Sequence, residues 1–431
     1  MQTVAPRQPD RSGSSNPLPG TPSKAHAETP FNRMVSWLLG FVIALTLNGY
    51  PLAGLVAALL GTESTEVTYP YRALSTGLAL ALSAIVLARG RFSLDPLMTF
   101  FLCAYAIRLY YDLTYTSLPD VGRAMVMFLI TVVVPFFTVS ICRYYYANRR
   151  TLMAFLIISG PAVVLLTFLG ASTLGPEDSS RFGLDALNPV SVGYTGLYCL
   201  VAIFFLWGDW KPAARYLILA PLALGSVYVM LIANARGAAV GFALCVAALS
   251  ARRGTTLAAL GVFIVAVAIL FGDTIAELNL FQRLARTGSD VSSMDRIDRM
   301  RSSIELMVAN PMFGFGYMET KFYSFPHNLL IESGLALGYG GLAIMAYLQA
   351  RYAILIRAGL RGNAQFIALL GLIGLSSAWL SSTLWASINF WTPMALLVAL
   401  AAEQNSQRRR GLFRSGRVGG SRRPMQSAIV R

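Results

Sequence analysis

Apolar runs long enough to cross a bilayer recur from one end of this chain to the other, and they decide what it can fold into. A helix needs about 20 apolar residues to span the hydrocarbon core. Inside lipid every backbone N–H and C=O must be satisfied within the segment, which makes such runs helices. We read spans at 34–60, 73–88, 96–111, 121–141, 151–170, 190–207, 213–233, 237–250, 256–271, 329–350, 364–386 and 390–402. The fold class is all-α, a polytopic helical membrane protein of about 12 transmembrane helices. With 55% hydrophobic and only 13% charged residues, the composition excludes a soluble enzyme. Residues 1–33, rich in Pro, Ser and Gly, read as a disordered tail. Residues 34–271 carry the first nine helices, 272–328 a large polar loop containing short helices, 329–403 the last three helices, and 404–431 a basic tail.

The formal net charge of +15 invites a nucleic-acid partner, but the placement of the charges points elsewhere. Of the 35 Lys and Arg residues, 24 fall on one side of this span scheme and ten on the other, with Arg108 inside the third span. The positive-inside rule then puts both termini and the short basic loops in the cytoplasm and the large loop on the outer face. Most of the excess charge is a topology signal with affinity for anionic membrane lipids, and no nucleic-acid partner is implied. Cys103, Cys142, Cys199 and Cys245 lie in or beside apolar segments without metal-like spacing, so they read as packing residues.

The outer loop holds six basic and seven acidic side chains between Gly272 and Pro326. Ile297, Met300, Ile304, Met307 and Val308 recur at helical spacing after Ser292-x-x-Asp295, and Pro311 ends the run. This predicts an amphipathic helix across the outer mouth, with Asp295–Arg299 and Asp298–Arg301 as surface pairs. Where the loop re-enters the apolar chain stands Phe325-Pro326-His327-Asn328-Leu329-Leu330. His327 is the only histidine besides His26 in the tail. It suits acid–base chemistry on an anionic substrate, or a helix start shared with Asn328.

Arginines stand at the outer ends of spans: Arg181 ahead of Asn188-Pro189, Arg236 in Asn234-Ala235-Arg236-Gly237, and Arg108 in the third span. Guanidinium groups fork onto phosphate oxygens. Arg236 could instead be an interfacial anchor, and Arg108 could be satisfied by Tyr110, Tyr111 and Asp112. No Asp or Glu lies near the middle of an apolar run, and there is no GxxxxGK[ST] loop, which weakens a flippase or exporter reading.

Five pieces then follow in order: Arg181-Phe182-Gly183 leading to Asn188-Pro189; Ala235-Arg236-Gly237 with Gly241; Arg296; Asn310-Pro311-Met312-Phe313-Gly314-Phe315-Gly316; and His327-Asn328 with Gly338 and Gly341. Together they resemble the O-antigen ligase superfamily, which also contains polymerases of O-antigen and exopolysaccharide repeat units. Two departures stand out. Ala336 occupies a position where the family often has an acidic residue, and the Arg-x10-Gly spacing of some polymerases is absent.

The resemblance implies a glycosyltransferase of the bacterial inner membrane that moves a glycan en bloc from undecaprenyl diphosphate. The acceptor would be a hydroxyl on lipid A-core or another glycan at the periplasmic face. The transfer would invert the anomeric centre and need no metal or other cofactor. On that expectation His327 is the general base or a phosphate contact. Arg236 and then Arg181 hold the diphosphate, with Arg108 as a further candidate. Arg296 and Asn328 support the site, and Gly338 and Gly341 allow close helix packing. A repeat-unit polymerase and a flippase of lipid-linked saccharide are the alternative readings.

Overall fold

The computed structural model describes residues 29–62, 64–89, 94–144, 148–170, 189–233, 235–250, 291–362 and 364–402. These residues are helical, with no strand among them beyond an isolated bridge between Glu319 and Ser324. The helices are α1 (Pro30–Leu60), α2 (Ser64–Leu87), α3 (Pro96–Tyr115), α4 (Val121–Ile141), α5 (Arg149–Gly170) and α6 (Pro189–Leu206). They continue with α7 (Pro212–Leu231), α8 (Arg236–Ser250), α9 (Val291–Ala309), α10 (Leu329–Arg361), α11 (Gln365–Leu380) and α12 (Ile388–Ala402). Each expected span falls on one of these helices except 256–271, which lies outside the described residues together with Arg181 and Asn188.

Among the described residues, five helices are long and apolar enough to cross a membrane: α1, α2, α4, α7 and α10. Four more, α6, α8, α11 and α12, are apolar but shorter. The molecule is a multi-pass helical membrane protein. Local chemistry explains several boundaries. Asp95 caps α3 by accepting from the Met98 N–H, with Pro96 at the first helical position, where its missing N–H costs nothing. Two wide turns, Leu129–Val133 in α4 and Arg215–Leu219 in α7, each precede a proline (Pro135, Pro221) that cannot donate to the carbonyl four residues back.

α1 packs on α5 and α2, α6 on α5 and α7, and α11 on α8 and α10. Polar contacts join some of these pairs where water is scarce. The Asn48 amide donates to Ser159 at 2.7 Å between α1 and α5, and Ser83 donates to Thr138 at 3.0 Å between α2 and α4. Three cysteines are buried as packing residues, but Cys103 is exposed, contrary to expectation.

Three further expectations need correction. α2 begins at Ser64 rather than at residue 73, which places Arg72 within the helix. α11 ends at Leu380, short of residue 386, because Ser381 leaves the helical conformation. α9 already includes Ser292, so that residue does not cap it. Ser302, Ser303 and Met307 are buried, while Ile297, Ile304 and Val308 are exposed. Neither expected ion pair on α9 forms among the described residues.

Candidate active site

The chain between α9 and α10 is bound to its surroundings by backbone groups, and this is what positions His327. α10 breaks at Gly338, whose φ of 67° lies in the left-handed region open to glycine. The break frees the Leu335 carbonyl, which accepts from the Phe315 N–H at 2.7 Å, while the Tyr339 N–H donates to Pro311 at 2.8 Å. A Cβ on Gly338 would lie 2.3 Å from the Pro311 oxygen. The Asn310–Gly316 segment is therefore seated in the kink of α10. The expected role of Gly338 in close packing is met here by loop against helix rather than helix against helix.

Arg108 secures the other side of this segment. Its guanidinium donates to the carbonyls of Phe313, Gly314 and Phe315 and pairs with Asp112 at 2.9 Å. Asp112 in turn accepts from the Tyr317 N–H at 2.9 Å. Arg108 is buried, and its two Nη groups are committed to backbone and to Asp112 rather than offered to a diphosphate. Asp112 is one of the partners expected for it, and the geometry favours this structural role over phosphate binding.

Glu319, which the sequence reading passed over, anchors the next turn. Fully buried, its carboxylate accepts from the N–H groups of Lys321, Phe322 and Ser324 and from the Ser302 hydroxyl on α9. A carboxyl group gathering several donors is a strong local clamp. Beyond it, Asn328 caps α10 by accepting from the Leu330 and Ile331 N–H groups, and its amide reaches the Trp379 carbonyl at 3.4 Å. The capping role foreseen for Asn328 is what the geometry shows.

His327 lies between these two anchors with φ 54°, a conformation uncommon for a residue with a side chain. Its Nδ1 is buried without a hydrogen-bond partner among the described residues. Its pKa is lowered from the usual 6.5 to about 4, by burial first and then by the charges of Arg296 and Arg299. Neighbouring guanidinium charges are what the sequence leads one to expect around this ring, and in the structure they join burial in favouring its neutral form.

The C-terminal end of α11 gathers the remaining residues. Its last carbonyls have no partner in their own helix and carry the negative end of the helix dipole. Arg296 donates to Leu380 at 2.6 Å, and Asn328 reaches Trp379. Ser381 contacts the Tyr194 hydroxyl of α6 at 3.2 Å. A Cβ on Gly237 would lie 2.8 Å from that hydroxyl and 3.1 Å from the Ser381 Oγ, so the start of α8, with half-buried Arg236, abuts the same point. His327, Asn328, Arg296 and the α8 end bearing Arg236 thus converge. Arg299 joins them through its charge on His327, where a solvent-facing pair had been foreseen. Arg108 stands apart on α3. Tyr194 and Ser381 carried no sequence signal, because hydroxyl residues in apolar helices are common.

Residues 220–346 match the O-antigen ligase family model. This segment is similar to the O-antigen ligase family. It runs from α7 past the kink of α10 and includes Arg236, Arg296, Arg299, Glu319, His327 and Asn328. No curated protein matches the chain. The O-antigen ligase match supports a membrane enzyme of the ligase or polymerase kind that acts on lipid-linked glycan and an acceptor. Arg72, Arg108, Arg123 and Tyr194 lie outside the O-antigen ligase segment.

Proposed function

We propose that the chain transfers a glycan en bloc from undecaprenyl diphosphate to an acceptor hydroxyl, such as one on lipid A-core, at the periplasmic face of the inner membrane. The observation that carries this reading is a buried imidazole nitrogen, without a hydrogen-bond partner among the described residues, set against arginines in the segment that matches the O-antigen ligase family. In the reaction His327 accepts the acceptor hydroxyl proton as the acceptor oxygen attacks C1 of the sugar. The bond from C1 to the diphosphate breaks on the opposite face, so the configuration inverts. Arg236, Arg296 and Arg299 take up the charge of the departing diphosphate, with Arg181 as a further phosphate ligand.

The low basicity of the ring fits this sequence. A bound diphosphate offsets the field of Arg296 and Arg299 and raises the ring toward the range where a general base works best. The base is then strong only when the donor is present. In the proposed topology both termini are cytoplasmic, twelve spans cross the membrane, and residues 272–328 face the periplasm. A repeat-unit polymerase would use the same machinery on a different acceptor, and the missing Arg-x10-Gly spacing favours the ligase. A flippase has no use for a base at the outer face.

The test is transfer in vitro with purified protein, lipid-linked donor and acceptor, with EDTA present. His327→Gln should lose about 10²–10⁴-fold in rate while still binding donor. Substantial transfer by that variant would rule out the base, and a strict need for divalent metal would undo the mechanism.

A further inference from the structure

A cavity of about 420 Å³ lies among α1, α2, α4, α6 and the start of α12. That volume is in the range of about 300–1,000 Å³ typical of small-molecule sites. Its lining includes Tyr50, Arg72, Arg123, Ser191, Tyr194 and Trp385. Arg72 lies over the Tyr50 ring at 4.8 Å, and the Arg72 and Arg123 charges act on one another. Neither guanidinium has a carboxylate partner among the described residues. Two like charges facing one half-apolar cavity repel, and an anion between them relieves that repulsion. The Trp385 Nε1–H is also buried and unpartnered among the described residues, which adds an unused donor to the same wall.

Two of these residues tie the cavity to the His327 site. Tyr194 contacts Ser381 just past the C-terminal end of α11, and the Trp385 ring meets Phe325, two residues before His327, at 5.4 Å. A transferase must hold two substrates on either side of its base. The arginines around His327 answer the diphosphate of the donor, so a second cationic pair answers a second anion. We infer that this cavity is the acceptor subsite and that it selects an acceptor saccharide bearing an oxyanion, a phosphomonoester or a carboxylate. The inference rests on the glycan-transfer reading above and names its acceptor class. It also places acceptor recognition on α2 and α4, outside the O-antigen ligase segment.

The experiment is equilibrium binding to the full-length protein in phosphatidylcholine vesicles, with a phosphorylated oligosaccharide and the same compound after phosphatase treatment as probes. The wild type should prefer the phosphorylated form by about 10- to 100-fold, the usual range for a charge-assisted phosphate contact. Arg72→Gln and Arg123→Gln should each remove most of that preference and leave undecaprenyl diphosphate binding unchanged, while Arg72→Lys retains part of it. Arg123 is exposed, so its replacement disturbs no packing. Equal affinity for the two saccharides, or a preference that survives in the double variant, would overturn the inference. So would loss of undecaprenyl diphosphate binding, which would give the pair to the donor. Displacement of the saccharide by phosphatidylglycerol in the vesicles would make a lipid headgroup the occupant, and the acceptor assignment would fall. A wild type that binds the phosphorylated saccharide but transfers no glycan would overturn the transferase reading and leave the anion site standing. Equal transfer to both saccharides would do the reverse.

Discussion

His327 keeps a left-handed backbone, with φ 54°, between two anchors that leave it little choice: the Glu319 clamp on one side and the Asn328 cap on the other. Conformations of this kind cost on the order of 1 kcal/mol and persist where their surroundings over-determine them. The consequence for pH is direct. The native pKa of about 4 lies below the ordinary 6.5. As pH falls, the unfolded chain takes up the proton first, so stability is full above about 6.5 and declines until about pH 4. Activity of the free enzyme should follow the native value. The acidic limb of kcat/KM should lie below pH 5.5, well under the ordinary histidine value, and Arg296→Gln or Arg299→Gln should move it upward. Burial is the largest cause of the shift, so neither variant should reach the ordinary value. A wild-type limb at pH 6.5, unmoved by either substitution, would separate His327 from the chemistry.

At the scale of elements, the kink of α10 and the loop seated in it form one unit. Gly338→Ala would place a methyl group 2.3 Å from the Pro311 oxygen at a positive φ. The strain alone costs on the order of 1–3 kcal/mol. Thermal denaturation in detergent should show the loss, and limited proteolysis should cut between residues 310 and 316 more readily. Arg108→Ala leaves Asp112 buried without its partner, and breaking a buried pair costs about 3–5 kcal/mol. A structural Arg108 lowers the melting temperature and leaves the donor KM of the surviving folded protein unchanged. A phosphate-binding Arg108 would instead raise the donor KM at constant stability. The helices and the Asn328 cap were legible in the sequence because they depend on neighbours within one turn. The duty of Arg108 was not, since its partners in the Phe313–Phe315 segment are about 205 residues away along the chain.

For the whole molecule, the sorting of 24 basic residues to one side and ten to the other predicts the topology. A cysteine placed at Ser289 should react with a membrane-impermeant reagent in intact spheroplasts, and one beside Arg252 should react only after lysis. Protection of position 289 would invert the scheme and move the candidate site to the cytoplasmic side. The same experiment bears on α9, whose exposed Ile297, Ile304 and Val308 form an apolar stripe away from α10. Periodicity found the apolar positions but not which of them are buried, because only the neighbours packed against a helix decide that.

The sequence alone determined the helical membrane class, the position of most helices and the candidate set around His327, Asn328, Arg236 and Arg296. Each of these rests on local chemistry: the length of an apolar run, the need to satisfy the backbone inside lipid, or a short motif. Tertiary structure decided which residues meet. It set Arg108 against a loop, tied Glu319 to Ser302 of α9, brought the charge of Arg299 to bear on the histidine, and gathered Arg72, Arg123, Tyr194 and Trp385 from four separate parts of the chain around one cavity. Lipid is as apolar as the interior of a helical bundle, so a span carries little record of which face turns toward which neighbour, and only the packed helices supply it.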